Sequence, residues 1–135
     1  MPLTDAERIA AAQAYISALA SHRGDDVPFA PNCVRYELGI KTGRSGDHLR
    51  RSLNNGPQFK LIREVSTPEF TVDGDRVRAV FELATKPSLF GRRVGAKVDE
   101  TFLIPADAAG RYTCLQWVMF QMGGIGPMFG QLGFF

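Results

Sequence analysis

The chain has 135 residues and a formal net charge of +2. That length supplies one domain able to bury a core, and the apolar and charged fractions are those of a globular protein rather than a disordered or fibrous one. The weak positive balance, in which Arg50-Arg51 and Arg92-Arg93 are the only adjacent basic pairs, reads as solvated surface charge and gives no footprint for nucleic acid.

Thr4 stands three residues before Glu7, the capping-box pattern of a helix start. Alanines dominate through Ala20, and Ile9, Ala12, Ile16 and Leu19 recur at helical spacing on one apolar face, with Tyr15 beside Ile16. The helix is expected to end near His22-Arg23-Gly24. Asp25 to Pro31 reads as a turn or one short helical turn, Cys33 to Leu38 as a short strand, and Gly39 to Gly46 as a loop. Asp47 caps a second helix through about Leu53, which Asn54-Asn55-Gly56-Pro57 stops. Strands follow. Phe59 to Glu64 alternates, Phe70 and Val72 lead into the hairpin turn Asp73-Gly74, and Val77, Ala79, Phe81 and Leu83 alternate with polar residues. Lys86 to Gly95 is turn-rich, Val98 to Ile104 is a strand, Pro105 to Gly110 turns the chain, and Tyr112 to Phe120 is the last strand.

Gln121 to Phe135 carries no charge and is rich in glycine, methionine and phenylalanine. Its apolar residues call for a surface to cover: the domain itself, the mouth of a pocket, or a second copy. The organisation is therefore a domain over 1–120 with an apolar tail over 121–135. Helices at one end and strands at the other mean α+β, most economically a curved antiparallel sheet wrapped around the long N-terminal helix, a cone with a cavity open at one end.

No nucleophile elbow, P-loop, zinc-protease motif or dinucleotide fingerprint occurs. Cys33 and Cys114 have neither CxxC nor Cys/His spacing and read as small buried hydrophobes. His22 suits a helix C-terminus, and His48, beside Asp47 and Arg50, lies either on the surface or in a pocket wall; the two give no metal shell. The N-terminus lacks a signal-peptide pattern and no apolar run is long enough to span a membrane, so a cytoplasmic protein without a membrane partner is expected.

Three polar residues remain inside otherwise apolar elements: Tyr15, Glu37 and Asp99. A buried carboxyl needs a hydrogen bond or a proton, and carboxyls beside a phenol suit proton transfer on a carbonyl compound. Each also has a plainer reading. Tyr15 fits a core tyrosine, and Glu37 a surface partner of Arg35 or Arg44. Strand alternation admits only one of Asp99 and Glu100 to the inside. Asp99 shares a side with Thr101 and Leu103, while Val98, Glu100, Phe102 and Ile104 form the more hydrophobic side.

The segments Ala14 to Ala20 with Gly24-Asp25, Asn32 to Glu37, and Val98 to Phe102 with Gly110-Arg111 resemble, in that order, the first helix, the next strand, and the third strand and turn of ketosteroid isomerases, within the SnoaL-like and NTF2-like superfamily. The resemblance runs in pattern to about Phe120 and implies a cone-shaped, cystatin-like fold. It puts Tyr15 on that family's catalytic tyrosine, Glu37 on its base (an aspartate there) and Asp99 on its second acid. It implies cofactor-free, metal-free isomerase or lyase chemistry on a small apolar or aromatic carbonyl compound. Glu37 would take a proton, and Tyr15 with a protonated Asp99 would hold the enolate oxygen, the arrangement known from that isomerase. Leu103, Leu115, Trp117, Met119 and His48 would line the pocket. A homodimer is expected on the same ground. A carrier without chemistry and a dimerising interaction module are the alternatives.

Overall fold

The computed structural model describes residues 3–37, 39–85, 94–105 and 111–125; at 57–58, 85, 94–95 and 112–125 it describes the backbone only. Helix α1 spans Asp5–Ser21. Thr4 Oγ1 accepts from the Glu7 backbone N–H at 3.1 Å and the Glu7 carboxylate accepts from the Thr4 N–H at 3.1 Å, so the expected capping box is present. His22 ends the helix in the left-handed region (φ 62°), its N–H donating to the Ala18 carbonyl. The expected stripe is the buried one: Ala12, Ile16 and Leu19 are fully enclosed, with Tyr15 among them. Each large side chain so buried contributes roughly 1.5–3 kcal/mol of hydrophobic stabilisation.

A single 3-10 turn, Gly24–Asp26, leads to β1 (Phe29–Glu37) and β2 (Ile40–Gly43), then α2 (Gly46–Asn55) and α3 (Pro57–Lys60). The remaining strands are β3 (Ile62–Val65), β4 (Glu69–Asp73), β5 (Arg76–Thr85), β6 (Val94–Leu103) and β7 (Tyr112–Ile125). They form one sheet in the order β2-β1-β7-β6-β5-β3, with β4 also paired to β5. Pairing is antiparallel except between β1 and β7, which run parallel. This is the expected α+β architecture, a curved sheet against a long N-terminal helix. Among the described residues no helix is long and apolar enough to cross a membrane.

Several boundaries differ from expectation. The segment read as a loop over 39–46 holds β2, because Gly39 takes φ 83° and turns the chain back onto β1. Helix α2 starts two residues earlier, with Ser45 Oγ accepting from the His48 N–H at 3.1 Å as its cap in place of Asp47. Phe59 belongs to α3 and not to a strand. Strand β7 continues past Phe120 to Ile125. Residues 126–135, the rest of the apolar tail, lie outside the described residues, as does most of the turn-rich segment 86–95.

The register defines the inner face. Across β5 and β6, Val77 faces Phe102, Ala79 faces Glu100, Phe81 faces Val98 and Leu83 faces Ala96, and all eight are buried. The alternate residues, Arg76, Arg78, Lys97, Asp99 and Thr101 among them, belong to the outer face. The inner face packs under α1 in one core that also takes Phe29, Cys33, Leu49, Leu53 and Phe59.

Candidate functional site

Strand alternation decides the first question at this site. Val98, Glu100, Phe102 and Ile104 are all at 0 % exposure, so this is the inward set of β6. Asp99 therefore points outward, where both its carboxylate oxygens accept from Arg78 at 2.6–3.0 Å. The expectation that Asp99 is the inner acid is corrected to Glu100, and the reason is hydrophobic: turning Asp99 inward would expose Val98, Phe102 and Ile104. Leu103 shares the outward side with Asp99, which corrects its placement in the pocket wall.

Tyr15 and Glu37 do come together, through Arg35, which is buried and not the surface partner expected of it. Arg35 is buried in the inner layer. Its Nη1 donates to the Tyr15 hydroxyl at 3.3 Å, and its Nε lies 3.1 Å from both Thr42 Oγ1 and Glu37 Oε1. Thr42 Oγ1 in turn donates to Glu37 Oε1 at 2.8 Å. The guanidinium stacks over the Phe59 ring, 4.8 Å from its centroid, and that contact is why α3 matters to the site. Tyr15 is wedged edge-on against Phe29 and Phe102 at centroid distances of 6.1 and 5.7 Å.

Glu100 completes the cluster. Glu37 and Glu100 are both in register with Trp117 of β7, one on each side. Their backbones thus stand two strand spacings apart, about 9.6 Å. Both carboxyl oxygens of Glu100 are buried and have no hydrogen-bond partner among the described residues. Burial pushes this carboxyl well above the usual range; Arg35 pulls the other way, and Glu37 adds to the rise. Glu100 is thus the carboxyl of the cluster that burial favours in its protonated form. Burial likewise pushes the Tyr15 phenol up. Burial by itself works against the charge on Arg35, but the Tyr15 hydroxyl that accepts from it and the Glu37 carboxylate beside it favour the charge, and the guanidinium keeps it. Glu37 is the accessible member, its side chain 29 % exposed against 1 % for Arg35.

His48 is half-buried on α2, its Nδ1 accepting from the Arg44 N–H at 3.1 Å. Leu115, Trp117 and Met119 occupy β7 positions in register with Arg35, Glu37 and Val98, the inner rows, but their side chains lie outside the described residues. Two surface clefts, one lined by Ser66, Glu69, Glu82 and Lys97 and the other by Phe29, Asp47, Arg50 and Arg111, include no member of the Tyr15–Arg35–Glu37–Glu100 cluster. Among the described residues no group of His, Cys, Asp and Glu could hold a metal ion.

Parity could have found two of the missed residues. Cys33, Arg35 and Glu37 alternate along β1, so a buried Cys33 carries Arg35 inward, and Glu100 shares its side with Val98 and Phe102. Nothing local marks Thr42, which depends on β2 folding back.

Residues 2–112 match the family model described as a domain of unknown function, DUF8021. No curated protein matches the chain. Among solved structures, the chain resembles an LEH-like epoxide hydrolase of M. tuberculosis at 24 % identity, with a TM-score of 0.68 over 84 % of this chain and 83 % of that one. It also resembles AclR, a putative hydroxylase of Streptomyces galilaeus, at 17 % identity and TM-score 0.66 over 96 % and 98 %. An NTF-2 like protein of Burkholderia xenovorans follows at 13 % identity and TM-score 0.64 over 94 % and 93 %. These likenesses establish the NTF2-like fold.

Proposed function

The chain belongs to the DUF8021 family and has the NTF2-like fold, and from that premise we propose that it is a cofactor-free acid–base enzyme acting on a small, largely apolar cyclic carbonyl compound. The observation that carries this reading is a pair of carboxyl groups in opposite surroundings, one on either side of Trp117 in the sheet. Glu37 is accessible and ion-paired with Arg35, whereas Glu100 is enclosed and pushed by burial toward its protonated form. A carboxylate open to a substrate and a carboxyl that burial keeps as a proton donor are what general acid–base chemistry uses.

In this reading Glu37 takes a proton from the carbon next to the carbonyl, and the electron pair moves onto the oxygen as an enolate. Glu100, in place of Asp99, donates a hydrogen bond to that oxygen, with Tyr15 beside it. Return of the proton from Glu37 to a different carbon completes an isomerisation. Arg35 and Thr42 hold the base still, and an aligned base is worth several kcal/mol of barrier. The reading departs from the ketosteroid isomerase pattern in the position of the second acid, which moves by one residue. The neighbouring fold of an LEH-like epoxide hydrolase supports small-molecule chemistry as a use of this architecture, and no more than that.

The test is deuterium uptake from D2O, followed by NMR, over a panel of cyclic ketones. The wild type and Asp99→Asn are expected to exchange at least one ketone, and Glu37→Gln is expected to exchange none. If ketones bind, by thermal shift, but the wild type exchanges none of them, the protein is a carrier and the acid–base reading is wrong.

A further inference from the structure

The modest net charge conceals an uneven distribution. Residues 35–63 hold seven Lys and Arg against two Asp and Glu, a surplus of +5, while the rest of the chain holds nine against twelve, or −3. Both acids in that stretch are already engaged, Glu37 with Arg35 and Asp47 with Arg50. Lys41, Arg44, Arg51, Lys60 and Arg63 are exposed and make no salt bridge among the described residues.

Two of these groups, Arg44 and Arg51, flank His48 at the start of α2. The Arg44 backbone N–H, one residue before the Ser45 cap, donates to His48 Nδ1 at 3.1 Å, and Arg51 follows His48 by three residues on the helix, a spacing that puts the two on one face. The placement is unfavourable for the fold itself. Arg44 stands just before the Ser45 cap, at the helix end where the macrodipole disfavours a cation. His48 registers the crowding: its pKa is lowered first by desolvation and then by Arg44, Arg35 and Arg51 around it. Because His48 Nδ1 accepts from the Arg44 N–H, the neutral ring carries its hydrogen on Nε2, as a donor. Ser45 already satisfies the His48 backbone N–H, so side chains, not helix amides, supply the attraction. The group also adjoins the polar cluster, since Thr42, two residues before Arg44, holds Glu37.

We propose that Arg44, His48 and Arg51 form a rim site for the phosphate ester of a small molecule whose apolar part reaches Glu37. The placement of the apolar part rests on the acid–base reading above, whereas the phosphate site does not. A phosphate monoester carries nearly two negative charges and accepts several hydrogen bonds, which two guanidiniums and one imidazole N–H match. A dianion there also offsets the unfavourable placement of Arg44 at the start of α2.

The probes are 1-naphthyl phosphate and 1-naphthol, titrated calorimetrically into the full chain at low ionic strength. The His48 ring resonance provides a second readout. The phosphate is expected to bind about tenfold tighter or better, to shift the His48 resonance, and to lose most of that advantage in high salt. Arg44→Gln/Arg51→Gln, at two exposed positions, is expected to keep its melting temperature and bind both probes alike. Glu37→Gln is expected to retain the preference, so a failure of the enzyme reading leaves this result standing. Equal affinity in the wild type, a preference that survives in the double variant, or a His48 response to heparin or anionic vesicles but not to naphthyl phosphate would each overturn the proposal.

Discussion

Replacing Glu100 by glutamine removes one ionisation from the core and little volume, which makes its effect calculable. In the unfolded chain Glu100 loses its proton near 4.5; in the fold, burial holds the proton to well above that value. Between those two limits the native state binds one proton more than the unfolded state, so stability falls as pH rises, by about 1.4 kcal/mol per pH unit. The contribution is fully present below about 4.5 and is lost as pH climbs toward the folded value. The loss grows with each pH unit up to the folded value, against a total of about 5–15 kcal/mol typical of a domain. Glu100→Gln lacks this slope. Urea unfolding of both proteins at intervals from pH 4 to pH 8 is therefore expected to give two curves that nearly meet at the acid end and diverge steadily above it, the variant being the more stable. The other carboxylates contribute to both curves and cancel in the difference. Parallel curves between pH 5 and pH 8 would refute the reasoning, because they would mean that Glu100 ionises in the fold as it does in the unfolded chain.

Thr42→Val removes the hydroxyl that links Arg35 to Glu37 and is expected to cost about 1–2 kcal/mol, while Thr42→Ser costs little; chemical denaturation of the pair measures both. Asp99→Asn breaks only the outer pair with Arg78 and is expected to leave ligand binding and deuterium exchange at wild-type levels. Gly46→Ala places a Cβ against the Ala30 carbonyl and the Phe29 side chain, where α2 crosses β1 closely. Overpacking there is expected to cost roughly 1–3 kcal/mol, read as a lower melting temperature.

What the sequence made legible follows from how local each signal is. The capping box and the α1 stripe involve residues within a few positions of one another, and both stand in the structure as expected. The α+β class needed only the order of elements. Strand β2 was illegible because Ile40 to Gly43 has no alternation of its own and becomes a strand only by pairing with β1. The site failed in a similar way. Register with Gly110-Arg111 points to Asp99, but one residue of slip in a strand reverses the face, and the apolar residues of β6 outweigh the alignment. Arginines rarely bury, and the burial of Arg35 is tolerable only because Tyr15, Thr42, Glu37 and the Phe59 ring, from four different elements, meet it there. Arg44, His48 and Arg51 are spread along the sequence, and only the passage from β2 into α2 brings them together.

The double duty of Glu37 shapes the last prediction. It is the proposed base, and it is also the counterion of a buried guanidinium, so Glu37→Gln removes both at once. Losing the partner of a buried charge costs about 3 kcal/mol or more when neither side sees water, and less here because Glu37 is partly exposed. Loss of exchange in Glu37→Gln could thus follow from a loosened Arg35 as well as from the absent base. Glu37→Asp separates the two. The shorter carboxylate retains its charge and can still reach Arg35 or Thr42, yet it withdraws the reacting oxygens by about one methylene, more than 1 Å. A displacement of that size is worth on the order of 100-fold in rate. Glu37→Asp is therefore expected to stay within about 1 kcal/mol of wild-type stability while its exchange rate falls by about two orders of magnitude. Wild-type exchange in this variant would remove Glu37 from the chemistry and leave it as a counterion alone. A loss of stability equal to that of Glu37→Gln would show instead that the ion pair depends on the exact reach of the glutamate.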